Sequence, residues 1–284
     1  MREWISSDRG DGPSEEQRRE DAALYGPIED WDVSRVTDMS MAFDGALDFD
    51  PDLSRWDVSH VTNMRGMFYR AWGFTGKGLA HWDVGCVTDM SYMFSGTRHF
   101  RGDLSRWNVG HVTTLRGMFS SARVFNCPLD RWDVSHVVDM GEMFRGARSF
   151  NRDLSWWDVA SVTKMDEMFR GARTFNRPLD SWDVSCVVDM RKMFHGAYSF
   201  RQPLEAWCVS RVTHMNGMFQ EARAFNRPLW TWDVGHVVDM SEMFRGARAF
   251  SPQYATWHGC SSSRNGVVKK TDMFLGAGTC ICKL

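Results

Sequence analysis

Met140, Met143, Phe144, Ala147 and Phe150 fall at i, i+3, i+4, i+7 and i+10, the spacing of an apolar stripe along one face of a helix. The pattern therefore predicts a short helix here. Asp139 stands before it with Glu142 three residues on, and Asp239 with Glu242 repeats the arrangement, so each carboxylate is placed to accept from free N–H groups of a first turn. Asn151 or Asn176, followed by Asp153 or Pro178, reads as the stop and the turn. A different spacing follows. In Leu129-x-x-Trp132-x-Val134 and Leu154-x-x-Trp157-x-Val159, apolar residues stand at 1, 4 and 6, which predicts a short strand. Alternation sends Trp132 and Val134 inward and leaves Arg131, Asp133 and Ser135 in solvent.

Both patterns recur along the chain. Trp31, Trp56, Trp82, Trp107, Trp132, Trp157, Trp182, Trp207, Trp232 and Trp257 stand 25 residues apart, with one extra residue in the glycine-rich stretch Gly73 to Gly78. Valines from Val36 to Val237 follow each Trp by five residues, and phenylalanines from Phe49 to Phe250 by eighteen. Only a tandem array keeps so many columns in step. The expected architecture is an α/β repeat solenoid, leucine-rich-repeat-like, with one short parallel strand and one short helix per 25-residue rung. Residues 1–26 read as an N-terminal cap with a short helix, 27–257 as a nine-rung solenoid, and 258–284 as a degenerate C-terminal cap.

The unit W-D-V-S-x-V-T-x-M-x-x-M-F-x-G-A-x-x-F-N-x-x-L-x-x-W, seen at Trp31 to Trp56 and recurring to Trp257, resembles the 25-residue repeat of the BspA-like leucine-rich-repeat surface proteins. About a dozen positions recur across nine copies, between roughly Tyr25 and Trp257. Departures are Cys208, His258 and Gly259 in the last rungs, and Arg, His or Cys after the serine where Asn is usual. The resemblance implies a solenoid used for adhesion or protein recognition, displayed at the cell surface, and it brings no catalytic residues.

Composition narrows the function classes. The 284 residues carry 34 Lys+Arg against 36 Asp+Glu, a formal charge of -2, so no global field favours nucleic acid or an anionic membrane. No window is apolar enough for a signal peptide or a membrane span. Seven cysteines, an odd and scattered number, suit a reducing compartment better than a disulfide framework. Cys86 and Cys186 share a column four rungs apart, and Cys260, Cys280 and Cys282 cluster near the C-terminus.

No catalytic constellation stands out, because a repeat presents residue types in rows rather than converging on one pocket. His60, His111, His136 and His236 share a column, which admits a weak zinc site. The ladder Asp32, Asp57, Asp83, Asp133, Asp158, Asp183 and Asp233 admits a weak calcium site. In both cases the donor sets are thin, and no metal or cofactor is assigned. The plainer reading is that each Asp bonds the backbone of its D-V-S-x-V turn. Trp156 breaks the pattern by placing a second indole before the core Trp157, facing outward between Arg131 and Ser181. With Arg106, Arg131, Asp133, Asp158 and Asp183 it forms a candidate binding patch, with arginine free to lie against the indole. A second basic column on the helix side, including Arg123, Arg148 and Arg173, forms a convex face suited to an acidic protein, polyanionic glycan or phosphate-rich ligand. The sequence thus points to a non-catalytic recognition or adhesion scaffold for a protein or glycan ligand. The alternatives are a self-associating structural array and a weak metal binder.

Overall fold

The computed structural model describes residues 23–257 and 268–278. Most of the N-terminal cap and its helix, His258, Gly259 and the cysteine cluster Cys260, Cys280 and Cys282 lie outside the described residues; Ala23–Tyr25 form one helical turn. The rungs stack as expected, and their interior is the one the columns specify. Trp56 through Trp257, the paired valines, both methionine columns and both phenylalanine columns are buried along one continuous core. Adjacent indoles lie parallel, as in Trp56–Trp82 (6.3 Å between centroids, 1° between planes) and Trp157–Trp182 (6.4 Å, 3°). Phenylalanines stack both within a rung, Phe144 on Phe150 at 3.9 Å, and between rungs, Phe144 on Phe169 at 5.7 Å.

Each indole N–H also has a partner. Trp132 Nε1 donates to Leu104 O and Trp157 Nε1 to Leu129 O, both at 2.9 Å, and the pattern runs to Trp257 and Leu229 O at 2.7 Å. The Trp column is therefore a ladder as well as a packing column, since a buried indole N–H left unpaired would be costly.

The local conformation differs from the expected one. Within the rungs, among the described residues, no α-helix and no extended strand forms; the only helical pieces are short 3-10 turns at Ile28–Asp30, Leu79–His81 and Pro252–Ala255. The segment from Met140 to Phe150 is a chain of tight turns, with the N–H groups of Met143, Arg145, Ala147 and Phe150 donating three residues back. Between them, the N–H groups of Met140, Glu142, Phe144 and Gly146 donate to Lys164, Asp166, Met168 and Arg170 of the next rung, at 2.6–3.0 Å. A helix would turn these bonds inward along its own axis; here every second one crosses to the neighbour. The apolar stripe is real, but turns of three and four residues generate it.

Left-handed residues make this path possible. Glu142 and Gly146 have φ of 57° and 67°, and the two columns they represent carry positive φ in every rung from Met41 and Gly45 to Asp272 and Gly276. A helix cannot hold such residues in its interior. The expected strand fails for a related reason. Trp132 N–H donates to Leu129 O and Val137 N–H to Val134 O, so Leu-x-x-Trp and Val-x-x-Val are turns that bring all four side chains inward. Parallel pairing is instead reduced to one bridge per rung, running Asp38, Asn63, Asp89, Thr114, Asp139, Lys164, Asp189, His214, Asp239 and Lys269. The last bridge stacks residues 268–278, Val-Lys-Lys-Thr-Asp-Met-Phe-Leu-Gly-Ala-Gly, onto the final Trp rung, with Phe274 over Phe244 at 5.5 Å.

Side chains complete the ladder. Asn126, Asn151 and Asn176 accept through Oδ1 from the N–H of residues 151, 176 and 201 at 3.0 Å, so the expected helix stop is a rung-to-rung clasp. Asp139 accepts from Gly141 N–H at 2.9 Å and Asp239 from Ser241 N–H at 2.8 Å: the expected capping bonds form, but they close a turn and no helix follows.

Candidate functional site

With the interior uniform, chemistry is confined to the outward columns. The aspartate ladder behaves as turn closure. Asp133 and Asp183 accept from Ser135 and Ser185 N–H at 3.1 and 3.0 Å, Asp158 from Ala160 N–H at 3.1 Å, and Asn108 does the same for Gly110 at 3.2 Å. Bonds from the serine hydroxyls and N–H groups hold Asp57, Asp133 and Asp183 below the usual carboxylate range. The histidine column is also engaged locally: the Nδ1 atoms of His111 and His236 lie 2.8 and 2.7 Å from Gly85 O and Ser210 O. Among the described residues no group of three His, Cys, Asp or Glu is placed to hold a metal ion.

Trp156 stands 82% exposed, rather than folded onto the neighbouring rung. Arg106 and Arg131 precede it in the same column and are exposed, as are Asp133, Asp158 and Asp183 two positions further along their rungs. The guanidinium stacking expected there occurs elsewhere: Arg98 lies 3.9 Å above Trp72, and Arg173 and Arg223 lie 5.4 and 4.5 Å from Tyr198.

The basic column produces the larger surprise. Where a convex helical face was expected, the structure has a groove of about 820 Å³ that crosses seven rungs. Without a helix to bulge outward, the left-handed turns leave a low floor at Gly96, Gly146, Gly171 and Gly196. Arg123 and Arg173 line it; Arg148 shares their column and is exposed. Seven arginines face two glutamates along the groove, together with Tyr69, Trp72, Tyr92 and Tyr198.

The arginines divide by partner. Arg145 and Arg170 are tied to Glu142 and Glu167 at 2.8–3.1 Å, and Arg223 reaches Glu221 at 3.4 Å. Arg98, Arg123, Arg148 and Arg173, on four successive rungs, meet no carboxylate within 4 Å among the described residues. These four form a row of cations, one per rung, that an anion would complement. His195, half-buried in the same groove, is held below the ordinary imidazole range by burial, aided by Arg170, and enters the groove neutral near pH 7.

Beneath one rim lies a denser cluster. Arg116 forks onto Asp166 at 2.8 and 3.1 Å, reaches Glu142 at 2.9 Å and Asp139 at 3.3 Å, and donates to Tyr92 Oη at 3.1 Å. Asp166 is buried, and these carboxylates keep Arg116 firmly protonated. Because Arg116 spans from Tyr92 to Asp166, it clamps four rungs. Sequence reasoning found the arginine column but missed Tyr92, Tyr198, Trp72 and Arg116; the three aromatics depart from their columns' usual residues, the same signal that picked out Trp156, whereas Arg116 shares a variable column with Arg65 and Arg191 and carried no such signal.

This geometry defines a class: a tandem-repeat solenoid with a uniform core and a varied exterior. Within that class, the chain belongs to the family described as "Mycoplasma protein of unknown function, DUF285", whose model matches residues 18–77, 72–180 and 168–279. No curated protein matches the chain. Among solved structures, a leucine-rich-repeat protein of Leptospira interrogans is similar at 8% identity and a TM-score of 0.20, over 72% of this chain and 64% of that one. The TLR13–ssRNA13 complex is similar at 11% identity and 0.18, over 77% of this chain and 45% of that one. The chain thus covers less than two thirds of either, and at these TM-scores neither likeness carries an argument. Among the described residues no helix is long and apolar enough to cross a membrane.

Proposed function

We propose that this protein is a non-catalytic recognition scaffold of the BspA-like kind, an adhesin-type array that holds a protein or glycan ligand across several rungs. The observation that carries the reading is Trp156. The 25-residue Trp column from Trp56 to Trp257 is spent on the core, and of the described indoles outside it this one is the most exposed, 82% against 57% for Trp230 and 39% for Trp72, with Arg131 one rung before it in its column. An exposed indole flanked by arginine and carboxylates is the composition of an interface anchor, which combines large apolar area with charged neighbours. A surface of this kind adheres and has no group poised to react.

The reading is tested by binding of the wild type and Trp156→Ala to arrays of extracellular proteins and glycans. The expected outcome is a ligand whose affinity falls roughly tenfold or more on removing the indole, as anchors of this type do. Because Trp156 has no buried contacts to lose, its variant should unfold within about 0.5 kcal/mol of the wild type. A ligand held equally well by Trp156→Ala removes the patch from the reading.

A further inference from the structure

We propose that the arginine groove is a second, separate binding surface, and that it takes a linear sulfated polysaccharide laid across the rungs. This rests on the protein being a recognition array, but not on the Trp156 patch, which occupies another column. Three features of the groove select the ligand. First, Arg98, Arg123 and Arg173 line the groove and the exposed Arg148 continues their column, one per rung on four successive rungs, with no carboxylate within 4 Å among the described residues, while the flanking Arg145 and Arg170 are already neutralised by Glu142 and Glu167. The open cations therefore form a line, not a patch, and a line is complemented by an anion that repeats along a chain. Guanidinium forks suit sulfate oxygens, which accept two parallel N–H bonds.

Second, the glycine floor, with φ of 67°, 68° and 68° at Gly146, Gly171 and Gly196, keeps side chains out of the path, so an extended chain can pass from rung to rung. Third, the aromatic faces are already taken. Arg98 covers Trp72, and Arg173 and Arg223 cover Tyr198. Single-stranded nucleic acid draws much of its affinity from bases stacked on open rings; a sulfated glycan is held by charge and needs none. The protein's overall charge of -2 means that such a ligand must be captured by the groove itself, without a global field.

The test is titration of the full chain with a size-defined heparin oligosaccharide near physiological salt, alongside hyaluronan of matching length and an RNA oligomer of matching charge. The sulfated chain should bind with steep salt dependence, and the triple variant Arg123→Ser, Arg148→Ser, Arg173→Ser should weaken it about tenfold or more and flatten that dependence. A control that removes the same charge at exposed positions outside both surfaces, Arg35→Ser, Arg201→Ser, Arg211→Ser, should change affinity by less than about threefold. Equal losses in control and groove variants, or equal binding of hyaluronan or RNA, would overturn the proposal. All three arginines are exposed, and an unchanged thermal midpoint confirms that folding is intact; if it moves, Arg123→Glu alone, at an exposed position lining the groove, must still reduce heparin affinity. Failure of the Trp156 patch would leave this result standing, and the reverse also holds.

Discussion

Among the described residues each rung passes through the left-handed region twice, four residues apart, and in every rung one of the two positions is glycine. Where the second is Gly146, Gly171 or Gly196, the first is Glu142, Glu167 or Lys192; where the first is Gly66, Gly117 or Gly217, the second is Arg70, Ser121 or Glu221. A side chain in this region costs on the order of 1–2 kcal/mol, so the glycine limits the strain to about one such residue per rung. Gly171→Ala would find its Cβ in open contact, 3.7 Å from Gly146 Cα, and would still suffer the conformational cost. It should lower unfolding free energy by about 1–2 kcal/mol, whereas Ser121→Gly, which relieves φ of 60°, should be neutral or gain up to about 1 kcal/mol. Urea melts of the two variants check the pair; a gain from the alanine would contradict the assignment.

At the scale of the element, the rung is a closed sequence of turns, and the aspartate before Val-Ser closes one of them. The carboxylates of Asp57, Asp133 and Asp183 are depressed by their serine bonds, so the sign follows: the unfolded chain binds the proton more readily, and the stabilisation is complete above the unfolded value near 3.8. It is lost as pH falls through the lower folded values. The thermal midpoint should therefore drop as the medium is acidified below about pH 4. Replacing the three by asparagine should flatten that part of the profile while keeping the turns, since Asn108 already closes its own rung by the same bond to Gly110. A profile unchanged by the triple substitution would mean that these carboxylates do not govern acid stability.

Over the whole molecule, stability is a sum of rung contents and rung-to-rung interfaces. Trp157 takes part in both: its indole packs on Trp182 and bonds to Leu129 O of the preceding rung. Trp157→Ala should cost about 3–5 kcal/mol, and because it lies mid-array it should broaden or split the denaturant transition as the halves unfold separately. A single sharp transition at unchanged midpoint would argue that the Trp column is not a coupling element. The Arg116 clamp, which joins rungs on both sides of Gly141, reinforces the same stretch.

The sequence by itself determined the period and which residues face inward, because burial acts on side-chain type and a repeated interior demands the same apolar residue in every copy. Trp156 as an exposed outlier and the Asp turn closures were legible for the same reason: each is a property of one position and its immediate neighbours. Whether Met-x-x-Met-Phe-x-x-Ala winds as a helix or steps as turns was decided only by tertiary structure, since both place those side chains on one face and the choice falls to hydrogen bonds that leave the rung. The left-handed glycines were the available hint, for a helix would not carry them so regularly. The groove, its open row of arginines and the Arg116 clamp likewise depend on residues 25 and 50 apart meeting across rungs, which only the stacked backbone can arrange.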